Sequence, residues 1–344
     1  MRGGLMKILT VVIPCYNSEA YMCKAIDHAL IGGPDVEVLI VDDGSKDNTL
    51  KIALDYEKRY PDIVRAIHQE NKGHGGALNT GLENATGLYF KVCDSDDYLD
   101  YDAYIRVLNV LRRAAKSPKT IDVMINNYMY DKQGARHKKV MRYKGFFPEH
   151  KVFTWKDIRH RLPNSKYVLM HSLIYRTALL RESGICLPEH TFYVDNLMAF
   201  QPMIYAKNLY YLDVTLYRYF IGRNDQSVNE EVMLTRLDQQ LRVNRMMIDE
   251  YRPHLVEERQ HLTYLVHYMS IMMSISSILL MRKGDKESLA AKKELWDYLK
   301  AKDKLLYARL RAGFLGMALN MPTAAGRRIA IDVYHLVQKI YGFN

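Results

Sequence analysis

Residues 36–49 read VEVLIVDDGSKDNT, and this stretch decides the fold class. Its first part is a run of mostly apolar, β-branched side chains, which predicts a buried β-strand. A Gly-Ser turn follows, and a helix is predicted from about residue 47 to residue 60. Asp42 and Asp43 therefore stand where the strand ends and the loop begins.

The same order of strand and helix occurs on both sides of this stretch. Before it, residues 7–16 (KILTVVIPCY) predict a strand, and Ser18 opens a helix. After it come predicted strands over 63–68 and 88–93, with a loop and a helix over 73–85 between them. Continuously apolar strands that alternate with helices are typical of a parallel sheet covered on both faces, with right-handed crossovers. The N-terminal region is therefore predicted to be α/β.

Polar residues follow three of these strands at the same edge of the sheet. Tyr16 and Asn17 follow the first strand, Asp42 and Asp43 end the second, and residues 94–97 (DSDD) follow the fourth. Ligands of such sheets bind beyond the carboxyl ends of the strands. We therefore expect a binding site at this edge.

Asp94 and Asp96 are one residue apart, so a turn can aim both carboxylates at one hard cation. Mg²⁺ or Mn²⁺ held in this way would take its other ligands from a diphosphate and water. Alone, such a triplet is as well explained by a solvated turn. Asp42 or Asp43 could likewise cap the next helix, although Asp47 could do so instead. The position of the triplet at the predicted edge favours the metal site.

The loop at residues 71–76 (NKGHGG) is rich in glycine. Glycines let the backbone approach a ligand closely, and Lys72 offers charge for a phosphate. The spacing matches neither the dinucleotide-binding fingerprint nor the P-loop. The loop therefore disfavours a dehydrogenase or an ATPase.

Composition predicts a folded chain with more than one unit. It has 344 residues, of which 48% are hydrophobic and 26% are charged. This hydrophobic content is more than one compact unit of ~150 residues needs for its core. The four cysteines lack metal-ligand spacing and suit a reducing cytoplasm, and the first residues do not resemble a signal peptide. A cytoplasmic protein is expected.

The net charge of +10 is concentrated near the C-terminus, where residues 282–344 hold thirteen Lys or Arg against six Asp or Glu. Without a recognisable motif, nucleic acid is not an expected partner. An anionic membrane surface or a polyanionic acceptor fits better, and a solvated helical face is the plainer alternative. The apolar stretch 264–281 could span a bilayer by length, but its histidine and serines favour a helix-bundle core or an oligomer interface.

The rest of the chain divides into two further regions. Residues 121–225 keep strand-like runs without regular alternation, and we expect them to complete the sheet and add a substrate-facing insert in a domain spanning 1–225, of which 1–120 is the half with the predicted binding edge. Residues 226–344 show only helical spacing and are predicted to form an all-α C-terminal domain. Its helices could dock the acceptor or the membrane surface, or build a homodimer.

Four segments together resemble the family-2 glycosyltransferases. They are residues 11–26 (VVIPCYNSEAYMCKAI), 36–49 (VEVLIVDDGSKDNT), 71–89 (NKGHGGALNTGLENATGLY) and 90–99 (FKVCDSDDYL). Four ordered motifs are far more specific than any one of them. The resemblance implies the GT-A fold, a Rossmann-like mixed sheet with helices on both faces that binds a nucleotide sugar, here followed by the all-α extension.

The resemblance also implies roles for individual residues. Asp94 and Asp96 would bind the metal, and where the family often has Ala-Arg-Asn this chain has Leu78 in place of the arginine, a loss for which Lys72 could compensate. The implied donor-binding residues are Pro14, Tyr16, Asn17, Asp42, Asp43, Asn71, Lys72, Gly73, Gly75, Asn79, Asp94 and Ser95.

Family members carry a catalytic base downstream, in an acidic pair that opens a helix before Tyr-rich segments. The matching residues are 192–197 (FYVDNL), in which Asp195 is the implied base and Val194 replaces the preceding glutamate. The alternative role for Asp195 is a helix N-cap. His171 and Arg223 are candidates for contacts with the acceptor or the diphosphate.

The predicted activity is therefore transfer of a sugar, with inversion, from a nucleotide sugar that is expected to be UDP-linked. The expected acceptor is a hydroxyl of a bacterial surface glycan, either free or attached to a lipid or a protein. A scaffold that binds nucleotide sugars without transferring them is the main alternative, suggested by Val194. A nucleotidyltransferase is a third, which the Asp195 segment argues against.

Overall fold

A computed structural model describes residues 6–132, 138–163, 166–221 and 230–321. The chain divides into two compact units. The first comprises Met1–His160 and Val168–Gly222, and the second comprises Arg161–Tyr167 and Arg223–Asn344. The short segment 161–167 thus groups with the C-terminal unit, whereas the sequence suggested that it belonged to the N-terminal domain.

The N-terminal part of the first unit alternates strand and helix as predicted. Its strands are buried where the sequence is continuously apolar, and every residue of the first two strands is buried. The elements are β1 (Leu9–Cys15), α1 (Met22–Leu30), β2 (Val36–Asp43), α2 (Thr49–Arg59), β3 (Val64–Gln69), α3 (Gly73–Asn84) and β4 (Tyr89–Val92).

The remainder of the unit completes the sheet and adds short helices. The 3₁₀ turns are Trp155–Asp157, Met170–Ser172 and Pro202–Ile204. The other elements are β5 (Tyr98–Leu99), α4 (Tyr101–Ala114), β6 (Val123–Lys132), β7 (Lys139–Met141), β8 (Val152–Phe153), β9 (Leu173–Arg176), α5 (Thr177–Glu182), α6 (Asp195–Phe200) and β10 (Leu209–Ile221).

The sheet has the order β3-β2-β1-β4-β9-β6-β10-β5, with β7 on β6 and β8 on β10. Neighbours from β3 to β4 are parallel, whereas β9 is antiparallel to both β4 and β6. The predicted mixed α/β sheet is therefore confirmed. Strand order reverses between β1 and β4, which makes their carboxyl ends the expected ligand crevice.

Close packing sets α3 against the sheet. A Cβ added at Gly81 would lie 2.5 Å from Cγ1 of Val12 in β1. Because this contact requires glycine, the helix lies nearer the sheet than a larger residue would allow. Its N-terminus, at Gly73, consequently begins close to the carboxyl ends of the strands.

The described part of the second unit contains helices and no strand. They are α7 (Glu230–Thr235), α8 (Leu237–Glu250), α9 (Arg259–Lys283), α10 (Lys286–Lys302), α11 (Lys304–Ala312) and α12 (Phe314–Leu319), with a 3₁₀ turn at Pro253–Leu255. Gly284 ends α9 in the left-handed conformation (φ +71°), and the carboxylate of Asp285 caps α10 by accepting from the Ser288 N–H. The all-α extension is thus confirmed.

Helix α9 is long and apolar enough to cross a membrane, and most of its apolar stretch is buried within the protein. Its serines are part of that packing. The amide of Asn244 donates to the Ser276 hydroxyl at 2.7 Å, and the indole of Trp296 donates to the Ser277 hydroxyl at 3.1 Å. These polar contacts explain how a helix with several serines serves as the centre of a bundle.

Candidate active site

The acidic turn after β4 is anchored by a tyrosine of β10. The backbone N–H of Asp94 donates to the Tyr217 hydroxyl at 3.0 Å, and that hydroxyl donates to Oδ2 of Asp97 at 2.6 Å. The other oxygen of Asp97 accepts from the Phe220 N–H at 2.7 Å. Each oxygen of Asp97 thereby accepts one hydrogen bond within the protein, and the turn that carries Asp94 is fixed on β10.

A buried lysine lies beside this turn. Lys91 of β4 is 1% exposed, and its ammonium donates to the carbonyl of His171 at 2.6 Å and lies 4.7 Å from the ring centre of Tyr217. Burial lowers the pKa of Lys91 to about 7, while nearby acidic groups oppose the shift. Lys91 is not among the residues predicted from the sequence, although a single lysine in the otherwise apolar strand YFKV indicated a buried charge.

His171 is buried between two aromatic rings. Its ring centre lies 4.7 Å from that of Tyr217 and 4.6 Å from that of Tyr219. Burial lowers the pKa of His171 to about 4, although Asp94 acts in the opposite direction. The imidazole is therefore neutral near pH 7 and keeps a lone pair for a ligand bond.

His171 and Asp94 both carry polar atoms that nothing in the described chain satisfies. Neither Nδ1 of His171 nor Oδ1 of Asp94 has a hydrogen-bond partner among the described residues, although both atoms are buried. Nδ1 of His171 lies 4.0 Å from Oδ2 of Asp94. Unsatisfied buried atoms on two neighbouring side chains are expected where an ion or ligand completes a site.

These residues fit a divalent cation. Ligand atoms of Asp94, Asp97 and His171 all lie within 4.8 Å of one another. Carboxylate oxygens bind both Mn²⁺ and Mg²⁺, whereas a neutral imidazole favours Mn²⁺, the transition metal of the two. In the part of the chain that is described, Asp96 is not a member of this group, so its role as a ligand stays a prediction while His171 joins the candidates.

The two carboxylates at the end of β2 are buried and hydrogen-bonded. Oδ2 of Asp42 pairs with Nδ1 of His68 at 2.6 Å. Oδ1 of Asp43 accepts from the Lys72 N–H at 2.8 Å and from the Gln69 amide at 2.7 Å. Asp43 thus joins β2 to the glycine-rich loop.

Neither of these carboxylates caps α2. Its N-cap position is Asn48, and the carboxylate of Asp47 accepts from the Thr49 N–H at 3.0 Å. The capping alternative considered for Asp42 and Asp43 therefore does not apply. Their predicted contact with the donor stays a prediction.

Hydrogen bonds join the end of β1 to the neighbouring loops. Asn17 has a left-handed backbone (φ +49°), and its N–H donates to the Ser45 hydroxyl at 2.9 Å. The hydroxyls of Ser18 and Ser95 are 2.9 Å apart, which ties this loop to the acidic turn. Tyr16 is 49% exposed beside them and is free to stack on a ligand, whereas Pro14 is buried within β1.

The glycines in the first turn of α3, which the sequence predicted as loop, pack against protein. A Cβ on Gly73 would lie 2.9 Å from the backbone nitrogen of His190, and one on Gly75 would lie 2.5 Å from the Pro188 carbonyl oxygen. The amide of Asn79 donates to the Leu187 carbonyl at 2.8 Å and accepts from the Leu187 N–H at 2.9 Å. The structure therefore gives these three residues a role in holding the segment 187–190, and their predicted contact with the donor stays a prediction.

The segment 187–190 leads to Asp195 at the start of α6. Val194 occupies the N-cap position, so Asp195 lies in the first turn and is not the N-cap that the sequence allowed. Burial raises the pKa of Asp195 to about 6, with His74 lowering it and Asp94 raising it. A carboxyl group with a pKa near neutrality, close to Asp94, is a suitable proton acceptor.

The structure thus places His171 beside Asp94, and Asp94 affects the pKa of Asp195. It also brings to the acidic turn residues to which the sequence gave no role. These are Lys91, Asp97, Tyr217 and His74, whose Nε2 is 3.8 Å from Oδ1 of Asp94. Arg223, also predicted to contact the acceptor or diphosphate, lies outside the described residues.

Known structures of similar architecture include two that were solved in complex with a nucleotide sugar. The fold is similar to Staphylococcus aureus TarS 1–349 in complex with UDP-GlcNAc, with a TM-score of 0.67 at 20% identity over 96% of this chain and 92% of that one. It is also similar to the mannosyltransferase PcManGT of Pyrobaculum calidifontis in complex with GDP-Man and Mn²⁺, with a TM-score of 0.54 at 17% identity, covering 95% and 86% of the two chains. At these identities the likeness concerns the fold.

Curated relatives are similar over part of the chain. Chondroitin synthase of Escherichia coli is 39% identical over 107 residues, which are 31% of this chain and 16% of that protein. An uncharacterized glycosyltransferase of Rickettsia prowazekii is 32% identical over 178 residues, 50% of this chain and 49% of that protein. The matches span half or less of these relatives. Residues 10–184 also match the family described as Glycosyl transferase family 2, which is half of the chain, and the chain therefore belongs to that family.

Proposed function

We propose that the protein is an inverting glycosyltransferase that moves a sugar from a nucleotide sugar to a hydroxyl group of an acceptor. The observation that carries the proposal is Asp195, a buried carboxyl group whose pKa is raised to about 6 and is affected by Asp94, whose own Oδ1 is buried without a hydrogen bond in the described chain. Such a transfer requires a base that accepts the acceptor's proton and a site that holds a cation against the departing diphosphate.

The donor is proposed to be UDP-linked and to lie over the carboxyl ends of β1 and β4. Support comes from the fold shared with TarS, whose structure contains UDP-GlcNAc. Tyr16 is exposed at this edge, and Asp42 and Asp43 lie behind it, where their hydrogen bonds hold the loops in place. Incubation with a panel of nucleotide sugars identifies the sugar that is transferred.

Asp94 and His171, with Asp96 or Asp97, would hold the divalent cation, and Mn²⁺ is the better match to an imidazole ligand. When bound, a divalent cation supplies positive charge to the departing diphosphate. PcManGT, of similar fold, has a structure that contains Mn²⁺. Lys91 stabilises this region because its ammonium donates to the backbone carbonyl of His171.

Asp195 is proposed to be the base. An acceptor oxygen would attack the anomeric carbon from the side opposite to the diphosphate, and its proton would pass to the Asp195 carboxylate. The bond from the anomeric carbon to the diphosphate oxygen would break, with its electron pair leaving on the nucleoside diphosphate. A single displacement of this kind inverts the anomeric configuration.

The test combines turnover with binding. Purified protein is incubated with a panel of nucleotide sugars, Mn²⁺ and candidate hydroxyl acceptors, and the released nucleoside diphosphate is measured. Asp195→Asn is expected to lower the rate by about 10²–10⁴-fold while nucleoside diphosphate affinity is unchanged. An Asn variant with the wild-type rate of transfer would remove Asp195 from the mechanism.

A scaffold that binds nucleotide sugars without transferring them is the second candidate, because Val194 replaces the glutamate of the family pattern. Val194 is 1% exposed and packs in the core, so it offers no chemistry of its own. The same assay separates the two functions. Binding of nucleoside diphosphate with no release from any nucleotide sugar would favour the scaffold.

The acceptor is proposed to be a bacterial surface glycan, free or carried on a lipid or a protein, and the site of action the cytoplasm or the inner face of the cell membrane. The basic C-terminal sequence supports docking to an anionic surface or acceptor. A homodimer through the C-terminal helices is the other proposed role. Light scattering of the purified protein measures its mass, and flotation with vesicles of anionic lipid tests membrane contact.

A further inference from the structure

The family pattern places an arginine at the position of Leu78, and the structure shows that Leu78 cannot act in its place. Leu78 is 2% exposed in α3, within the core of the unit. A hydrogen-bond donor for the diphosphate must therefore come from another residue. Lys72 was the candidate suggested by the sequence.

Lys72 already has an acidic neighbour. Its ammonium lies 3.7 Å from the carboxylate of Glu189, and both side chains are about half exposed. An exposed pair of this kind is weak, but it places the ammonium beside Glu189 instead of the acidic turn. The charge of Lys72 is thus partly balanced before any ligand arrives.

His74 is better placed than Lys72 to donate a hydrogen bond near the acidic turn. It is the second residue of α3, one helical turn before Leu78, and residues four apart lie on the same face of a helix. Its Nε2 is 3.8 Å from Oδ1 of Asp94, which is too far for a direct hydrogen bond, so this nitrogen can donate to a ligand beside the acidic turn. Its side chain is 34% exposed and so remains accessible from solvent.

The residues on either side of His74 fix its backbone. Gly73 has φ +74° and abuts the His190 nitrogen, and Gly75 abuts the Pro188 carbonyl. The Lys72 carbonyl accepts from the His190 N–H at 2.8 Å. Because both neighbours of His74 are held against the segment 187–190, the start of α3 has little freedom to move.

His74 also acts electrostatically on both other functional groups. Burial dominates the pKa of Asp195 and of His171, and His74 lowers the pKa of each. His74 therefore lies beside Asp94 and interacts electrostatically with both the proposed base and the candidate metal ligand His171.

We infer that His74 donates a hydrogen bond to the diphosphate of the donor and takes the place of the arginine that the chain lacks at Leu78. This inference rests on the proposed function. During transfer the diphosphate gains the electron pair of the broken bond, and the acceptor proton goes to Asp195. His74 therefore needs only to donate its hydrogen bond, which strengthens as charge collects on the diphosphate.

The test measures binding of UDP, GDP and UMP in Mn²⁺ by calorimetry, using wild-type protein and the variants His74→Ala and His74→Gln. We expect His74→Ala to weaken nucleoside diphosphate binding about tenfold or more and UMP binding less than twofold, with His74→Gln in between. Retained UMP binding also shows that the variant is folded. His254→Gln, an exposed histidine of the second unit, is the matched control.

Equal weakening of diphosphate and monophosphate binding by His74→Ala, or no weakening, would overturn the inference. A diphosphate-specific loss in Lys72→Met with none in His74→Ala would also overturn it and assign the contact to Lys72. Turnover separates the inference from the proposed function. If wild type binds UDP through His74 but transfers no sugar, the transferase proposal fails and the inference stands. If wild type binds no nucleoside diphosphate, both fail.

Discussion

Nδ1 of His171 and Oδ2 of Asp94 face each other at 4.0 Å across the end of β4. His171 comes from the 3₁₀ turn before β9, and Asp94 follows β4, so the antiparallel pairing of these two strands brings them together. Both residues carry a buried polar atom without a hydrogen bond in the described chain. This relationship is the physical basis of the first prediction.

His171→Gln is expected to weaken Mn²⁺ binding by about 10–100-fold, because the variant loses an imidazole ligand. Binding is measured by calorimetry or by the electron paramagnetic resonance signal of free Mn²⁺, in the absence of any sugar donor. His254→Gln should bind Mn²⁺ as the wild type does. Unchanged Mn²⁺ affinity in His171→Gln would exclude His171 as a ligand.

The pH dependence of transfer follows from Asp195. Its pKa is raised to about 6, chiefly by burial, and a base must be deprotonated to accept a proton. We expect kcat/KM to be constant above about pH 6 and to fall about tenfold for each unit below it. An aspartate of ordinary pKa would hold the plateau to about pH 4. A plateau that extends that far would show that Asp195 does not limit the reaction.

Tyr217→Phe is expected to destabilise the first unit by about 1–3 kcal/mol. The variant removes the hydroxyl that donates to Asp97 at 2.6 Å and accepts from the Asp94 N–H at 3.0 Å, which leaves buried polar groups unsatisfied. Chemical denaturation measures the change in the free energy of unfolding. Tyr101→Phe is the matched control, since that side chain is 58% exposed. Equal effects of the two changes would argue against the anchoring role of Tyr217.

Gly73→Ala and Gly33→Ala separate backbone strain from crowding. Both glycines have positive φ, +74° and +77°, so each alanine costs about 1–2 kcal/mol of strain. Only at Gly73 would the new Cβ meet another segment, at 2.9 Å from the His190 nitrogen, whereas nothing lies within 4 Å at Gly33. We expect Gly73→Ala to lose more stability than Gly33→Ala. We also expect nucleotide affinity to fall in Gly73→Ala and to stay unchanged in Gly33→Ala. Similar behaviour of both variants would show that contact with His190 is unimportant.

The strands of the N-terminal half were well predicted, because their apolar runs are continuous and their turns carry Gly, Asp and Ser. Helix α3 was less clear. It begins at Gly73 itself, since the glycines that suggested a loop are required for packing against residues 187–190. Local propensity does not contain that information, which depends on a segment more than a hundred positions away.

The sequence by itself determined the family, the α/β class and the position of Asp42, Asp43 and Asp94 at strand ends, since these follow from local pattern and from the order of motifs. The tertiary structure alone decided which side chains meet. It brought His171 and Tyr217 to the acidic turn because β9 and β10 enter the same sheet as β4, and it buried Lys91 of β4 beside that turn. The environment of Asp195, and hence its raised pKa, likewise depends on burial and on charges from distant segments, which no local stretch of sequence specifies.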